Sequence, residues 1–183
     1  MRMMVVSLAL FMMFAATASG QQAGFGTAPD GPESAQLAAT YDPTRATVIT
    51  AADVAAAIAA LPPDRVSANG TFVERRDPGD TLAYRIAVDR RRTPQRANAH
   101  AGEAEVWAVV DGSGAITTGG KLVETRQDGK LIGRVIEGGV TTPVAQGDFV
   151  VIPEGVPHYI TEANPHVIFV AIELPRPAAA PRP

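Results

Sequence analysis

Alternating apolar and polar residues, broken every few positions by turn-forming pairs, predict that this chain of 183 residues is built from β-strands. The clearest alternation runs from Leu82 to Val88, where Leu82, Tyr84, Ile86 and Val88 occupy every second position. This is the period of a strand with one buried face, because successive side chains point to opposite sides of a sheet. Further strands are predicted at 96–101, 105–110, 115–118, 131–136, 149–152, 158–161 and 167–172.

Glycine and proline mark the turns between these strands. The chain has 17 Gly and 15 Pro, which favours many short strands over long helices. Turns are predicted at 111–112, 128–129, 138–139 and 164–165, and Gly112-Ser113-Gly114 is interpreted as a hairpin turn. Short strands at this spacing are typical of a β-sandwich or a β-barrel, and the pattern alone does not choose between them.

A single helix is predicted ahead of the strands, from Ala51 to Leu61. Thr50 followed by Asp53 has the form of a capping box, and Pro62-Pro63 ends the helix-forming run. Residues 47–174 are therefore assigned to one domain that contains this helix and the strands.

The two ends of the chain differ from this domain. Residues 1–20 are typical of a secretory signal, with Arg2, an apolar run from Val5 to Ala16 and small residues after it. The alternative is a membrane anchor, for which the run is short. Residues 21–46 are predicted to be a flexible lead-in and 175–183 a disordered Pro-rich tail. We therefore expect an exported protein, periplasmic or extracellular, without a membrane segment after cleavage.

Charge and composition exclude some partners. Loss of Arg2 with the signal leaves 15 of the 16 basic side chains against 19 acidic ones, a net charge of −4. This balance favours neither nucleic acid nor an anionic membrane surface, so the expected partner is a small molecule. The chain has no Cys, which excludes disulfides and thiolate ligands.

The three histidines suggest a site. His100 lies five residues before Glu105, and Gly112 follows seven residues later. His158 ends a second pattern, Gly147-x5-Pro153-x-Gly155-x2-His158. These residues resemble the two motifs of the cupin superfamily, G-x5-H-x-H-x3,4-E-x6-G and G-x5-P-x-G-x2-H-x3-N.

Three positions depart from the motifs. Arg92 stands where the first motif opens with Gly, and Asn98 stands where its first His is usual. In the second motif Glu162 replaces the final Asn. The resemblance covers residues 92–162.

The resemblance implies an all-β fold, an antiparallel double-sheet jelly-roll barrel, with both motifs on neighbouring strands and their ligands pointing inward. It implies a divalent metal (Fe, Mn, Ni or Zn) held by His100, Glu105 and His158. Asn98 is a weak fourth ligand through its amide oxygen, or orients a bound water. Trp107 and Ile160 are predicted to line a substrate pocket. The alternative is a cavity in which His100 and Glu105 hydrogen-bond without a metal.

Some residues are given lesser roles. His166 matches neither motif and is interpreted as a rim or surface histidine. The run Arg90-Arg91-Arg92, with Arg96, is interpreted as a solvated loop, or alternatively as a guide for an anionic substrate. Residues 119–146 are predicted to form a longer hairpin or loop that covers the barrel or forms a homodimer contact.

Two functions remain open from the sequence. In the first, the protein is an exported metalloenzyme that acts on a small organic substrate inside the barrel. In the second, it is a non-catalytic module that binds a small ligand there. Three ligand-type residues in register favour the enzyme, whose reaction type and catalytic residues the sequence does not name.

Overall fold

The computed structural model describes residues 33–36, 44–77 and 81–175 of the chain. The predicted signal, most of the lead-in and the tail after Pro175 lie outside these ranges. Within them lie one helix and nine strands, whose bounds are β1 Glu33–Gln36, α1 Ala51–Ala60, β2 Ser67–Asp77, β3 Thr81–Arg91, β4 Glu103–Thr118, β5 Lys121–Gln127, β6 Lys130–Glu137, β7 Val140–Ala145, β8 Phe149–Ile152 and β9 His158–Pro175.

Seven strands form one curled sheet, and β5 and β6 form a separate hairpin. The order in the sheet is β1-β2-β3-β9-β4-β7, with β8 also paired to β4. Every pairing is antiparallel except that of the short β1 with β2, which the sequence did not predict. The predicted antiparallel fold with one short N-terminal helix is therefore confirmed.

The long strands β4 and β9 are neighbours within this sheet. They pair along their whole length, and register shifts between Val109 and Ser113 bend the pair. On its other edge β4 pairs with β8 before the bend and with β7 after it. Side chains from the segments on either side of this bend meet in one interior cluster, made of Trp107, Val109, Ile116, Val144, Ile152, Ile160, Val167, Phe169 and Ala171.

Two predicted turns are wrong. The pairs at 111–112 and 164–165 lie inside β4 and β9, so each of these strands joins two segments that the sequence analysis had separated. Gly112 has φ +77°, and a register shift beside it takes up the irregular backbone without reversing the chain. A β-bulge uses the same residue types as a turn, which is why the sequence pattern did not distinguish them. Gly112-Ser113-Gly114 is therefore part of a strand.

Three further assignments change. Residues 96–101 do not form a strand and contribute only an isolated bridge between Asn98 and His158. Arg90 and Arg91 belong to β3 and not to a loop, and Arg90 is buried with its guanidinium donating to the Pro62 carbonyl. Strands β2 and β7 were missed, whereas the hairpin predicted within 119–146 is present as β5 and β6, and the turns at 128–129 and 138–139 lie where predicted.

The helix packs on the outer face of the sheet. The capping box is present, since Asp53 N donates to Thr50 Oγ1 at 3.2 Å and Thr50 N donates to Asp53 Oδ2 at 2.8 Å. The buried side of the helix then meets strands β2, β3 and β9, in a second cluster made of Ala57, Leu61, Ala68, Phe72, Val73, Val88 and Ile168. In the described residues, no helix has the length and apolarity needed to cross a membrane.

Gly114 allows β4 and β9 to approach closely at the bend. A Cβ at this position would lie 2.0 Å from the backbone oxygen of Glu162. We expect Gly114→Ala to lower the free energy of unfolding by about 2–3 kcal/mol, because backbone atoms must move apart. Gly133→Ala in strand β6 is the matched control, since the atom nearest to its new Cβ would be Thr125 Cβ, 3.8 Å away. Urea unfolding of both variants measures the difference, and equal stability would contradict the close packing.

Candidate metal centre

Three elements bring the candidate ligands together. His100 precedes a turn at 101–102, after which β4 carries Glu105 back past it. His158 is the first residue of β9. Two backbone hydrogen bonds join it to Asn98, His158 N to Asn98 O at 2.8 Å and Asn98 N to His158 O at 3.0 Å. These hydrogen bonds hold the segment before β4 beside the start of β9.

The predicted ligand atoms meet at one oxygen of Glu105. Oε1 lies 3.3 Å from His100 Nε2 and 3.4 Å from His158 Nε2. The three ligand atoms all lie within 4.8 Å of one another, so a single ion can contact them together. Glu105 and His158 are buried, whereas the His100 side chain is 36% exposed. The site is therefore open on the His100 side.

The neighbours of two of these groups orient them toward the site. His158 Nδ1 lies 2.9 Å from the Val156 carbonyl, which can only accept, so Nδ1 carries the hydrogen and Nε2 faces Glu105. Trp107 Nε1 donates to Glu105 Oε2 at 2.7 Å, which leaves Oε1 for the site. Two imidazole nitrogens and a carboxylate oxygen thus converge as electron-pair donors. This set fits a divalent ion, and a proton on His158 Nε2 can take the same place.

The electrostatics of Glu105 follow from the same contacts. Burial by itself raises the pKa of Glu105, but the hydrogen bond and charge of His158, the Trp107 indole and His100 outweigh it, so this pKa lies below its ordinary value. Glu173 lies opposite Glu105 on the adjoining strand, and its pKa is above its ordinary value. Burial raises the pKa of Glu173, the Arg85 guanidinium only partly offsets this, and the negative Glu105 adds to it.

Trp107 and Ile160 lie at the inner side of the site. The Trp107 ring packs edge-on against His158, with centroids 5.4 Å apart, and stacks on Phe169 at 4.1 Å. Ile160 is buried in the same interior cluster. Their contact with a substrate stays a prediction. A groove of about 470 Å³ lies elsewhere, beside Ser113, Val144 and Glu162, and it contains none of the candidate ligands.

Asn98 contacts the site through its amide. Its Nδ2 lies 3.1 Å from His100 Nε2, so Asn98 joins the ligand group as a neighbour of His100. His166 does not join it, and instead lies 2.8 Å from Asp111 Oδ2 beside the bend. His166 is partly exposed, as expected for the rim or surface position that the sequence analysis assigned to it.

Sequence reasoning missed Arg134. This residue of strand β6 places Nη1 3.3 Å from Asn98 Oδ1, and its carbonyl accepts from Ala97 N at 3.2 Å. It lies 36 residues from Asn98 in a separate hairpin and belongs to neither motif. No local pattern marks such a contact, because only the packing of the β5–β6 hairpin creates it.

The lowered pKa of Glu105 predicts a pH dependence in metal-free protein. The folded state releases the Glu105 proton more readily than the unfolded state, so its contribution to stability is complete above the unfolded pKa and disappears as pH falls through the folded pKa. The stability advantage of the wild type over Glu105→Gln should therefore shrink between about pH 6 and about pH 3. Urea unfolding with a chelator measures it, and a difference that is constant with pH would contradict the assignment.

No protein-family model and no curated protein matches the chain. Three similar solved structures are an uncharacterized conserved protein with a double-stranded β-helix domain from Klebsiella pneumoniae, KdgF from a Halomonas species, and a predicted oxalate decarboxylase from Thermotoga maritima. Their identities to this chain are 14%, 14% and 19%, and their TM-scores 0.48, 0.39 and 0.34. The alignments cover 78%, 63% and 50% of this chain and 95%, 86% and 65% of those chains. Because the paired strands β4 and β9 carry Glu105 and His158 and bring them together with His100, this chain has a barrel fold of the cupin type.

Proposed function

We propose that the protein is an exported cupin-type metal-binding protein, and that it is a metalloenzyme acting on a small organic substrate inside the barrel. The observation that carries the proposal is the convergence of His100 Nε2, His158 Nε2 and Glu105 Oε1 on one position. Three electron-pair donors at this spacing repel one another unless a cation or a proton lies between them. A divalent ion satisfies all three at once.

The chain's own residues would prepare this site. Val156 holds the His158 ring through Nδ1, and Trp107 holds Glu105 through Oε2, so that ligand orientation is set before a metal arrives. Trp107 and Phe169 fill the inner side and limit water there. When bound, an ion (Fe, Mn, Ni or Zn) would supply a Lewis acid with coordination positions left for a substrate. The exposed His100 side is where a substrate would enter.

The second candidate is a non-catalytic module that binds a small ligand in the barrel. It is favoured by the tight packing of Trp107, Ile160 and Phe169, each at most 5% exposed, which leaves little space on the inner side. The enzyme is favoured by the accessible His100 side and by Glu103, whose Oε2 lies 3.8 Å from His100 Nδ1 at the rim. A carboxylate at that place can accept or return a proton.

Export and self-association are parts of the proposal that rest on other residues. The pattern of residues 1–20 supports cleavage and release to the periplasm or beyond. Phe149 and Val151 are 73% and 70% exposed on β8, an apolar surface that a homodimer would cover. N-terminal sequencing of the secreted protein and its sedimentation behaviour test these two points.

Metal uptake tests the proposed function directly. Protein purified without a chelating tag should bind about one divalent ion per chain, and His158→Ala should lower the affinity at least about a hundredfold, because one of two imidazoles is lost. His166→Ala removes the only other histidine and should bind like the wild type. Elemental analysis and chelator competition measure this. Stoichiometric metal in His158→Ala would overturn the ligand assignment.

Position 98 offers a gain-of-affinity test. Asn98 lies beside His100 Nε2, so Asn98→His should bring a third imidazole to the site. Imidazole is a stronger donor than an amide for borderline metals, and affinity for Ni²⁺ or Zn²⁺ should rise about tenfold or more. Isothermal titration measures the gain. No gain for either ion would mean that a side chain at this position does not reach the metal.

A further inference from the structure

The Asn98 amide is held from two sides. Its Nδ2 lies 3.1 Å from His100 Nε2, and its Oδ1 lies 3.3 Å from Arg134 Nη1. A guanidinium has only donors, so the atom that faces Arg134 must be the amide oxygen. The NH₂ group is therefore the end that faces the ligand histidine.

Arg134 is itself fixed. Its Nε donates to Glu124 Oε1 at 3.1 Å, and Nη2 lies 3.0 Å from the same oxygen. Its carbonyl also accepts from Ala97 N, one residue before Asn98. Glu124 further binds Arg126, so this group of two arginines and one glutamate has a net charge of +1. The guanidinium thus keeps both its position and a positive charge beside the open side of the site.

This orientation has a consequence for a ligand at the site. An ion bound to His100 takes the lone pair of Nε2, and the Asn98 NH₂ group then loses its acceptor. A buried or half-buried donor needs a new partner, and an oxygen of a molecule on the ion can supply it. An anionic oxygen is favoured, because the Arg134 charge lies directly behind the amide.

We propose that Asn98 donates a hydrogen bond to an anionic oxygen of the bound small molecule, and that Arg134 is the positioning residue that fixes the Asn98 amide for this role. The inference rests on the proposed function and narrows its substrate class to small carboxylates or enolates. Asn98 then contacts the bound small molecule and does not coordinate the metal. The β5–β6 hairpin takes part in recognition through Arg134.

Acetate binding to the Co²⁺-loaded protein tests this inference. Co²⁺ binding is followed by fluorescence of Trp107, the only tryptophan, and acetate by the visible Co²⁺ spectrum. Asn98→Ala should weaken acetate binding about tenfold, the loss of one hydrogen bond to a charged group, while Co²⁺ affinity changes less than about threefold. Neutral acetamide should bind more weakly than acetate and lose less in the variant.

Arginine variants distinguish a positioning role of Arg134 from an effect of its charge alone or of protein stability. Arg134→Met should weaken acetate binding about tenfold with Co²⁺ affinity and thermal midpoint near those of the wild type, and Arg134→Lys, which keeps a donor, should recover part of the loss. Arg126→Met is the matched control, because Arg126 binds the same Glu124 carboxylate and the Gly129 carbonyl. It removes the same charge from this group but leaves the contact between Arg134 and Asn98 in place, so it should weaken acetate binding less than about threefold.

The outcomes distinguish this inference from the proposed function. A tenfold loss of Co²⁺ affinity in Asn98→Ala would make Asn98 a metal ligand and overturn the inference alone. Equal acetate affinity in Arg134→Met and the wild type would also overturn it. Wild-type protein that binds no Co²⁺ and no other divalent ion would overturn both the metal site and the inference.

Discussion

The pairing of β4 with β9 is the interaction on which the rest of the molecule depends. It runs from Glu103 opposite Pro175 to Thr118 opposite His158, so it carries Glu105 at one end and His158 at the other. In a flat sheet these two residues would lie far apart, since each strand residue advances the chain by about 3.3 Å. The bend at Gly112 folds the paired strands β4 and β9 back on themselves and brings Glu105 and His158 within contact distance. The site therefore exists because the strands are long, paired and bent.

The two faces of the sheet are used differently. The outer face of β2, β3 and β9 is covered by the helix, whose capping box stabilises its start by about 1 kcal/mol. The inner face carries an apolar cluster around Trp107 and Phe169, with polar groups beside it. One of these, Glu173, pairs with Arg85 and faces Glu105 across the strands. A carboxylate in such surroundings is kept only where its charge has partners, which for Glu105 are the two histidines and the indole.

The hairpin outside the barrel completes the site. Strands β5 and β6 do not pair with the main sheet, yet Arg134 from β6 bonds to both the backbone of Ala97 and the amide of Asn98. The segment that carries His100 is thus held by β9 on one side and by the hairpin on the other. A donor fixed in this way costs little to order when a ligand binds, because its orientation is already set.

The sequence by itself determined the residue types and their spacing: the strand alternation, the capped helix, and His100, Glu105 and His158 in two recognisable motifs. These depend on local periodicity and on fixed intervals along the chain, which a sequence displays directly. Whether 111–112 is a turn or a bulge, and that Arg134 orients Asn98, were decided by the tertiary structure. Glycine permits either backbone path, and only the pairing of β4 with β9 selects one. Arg134 and Asn98 are 36 residues apart, and only packing of the hairpin against the barrel brings them into contact.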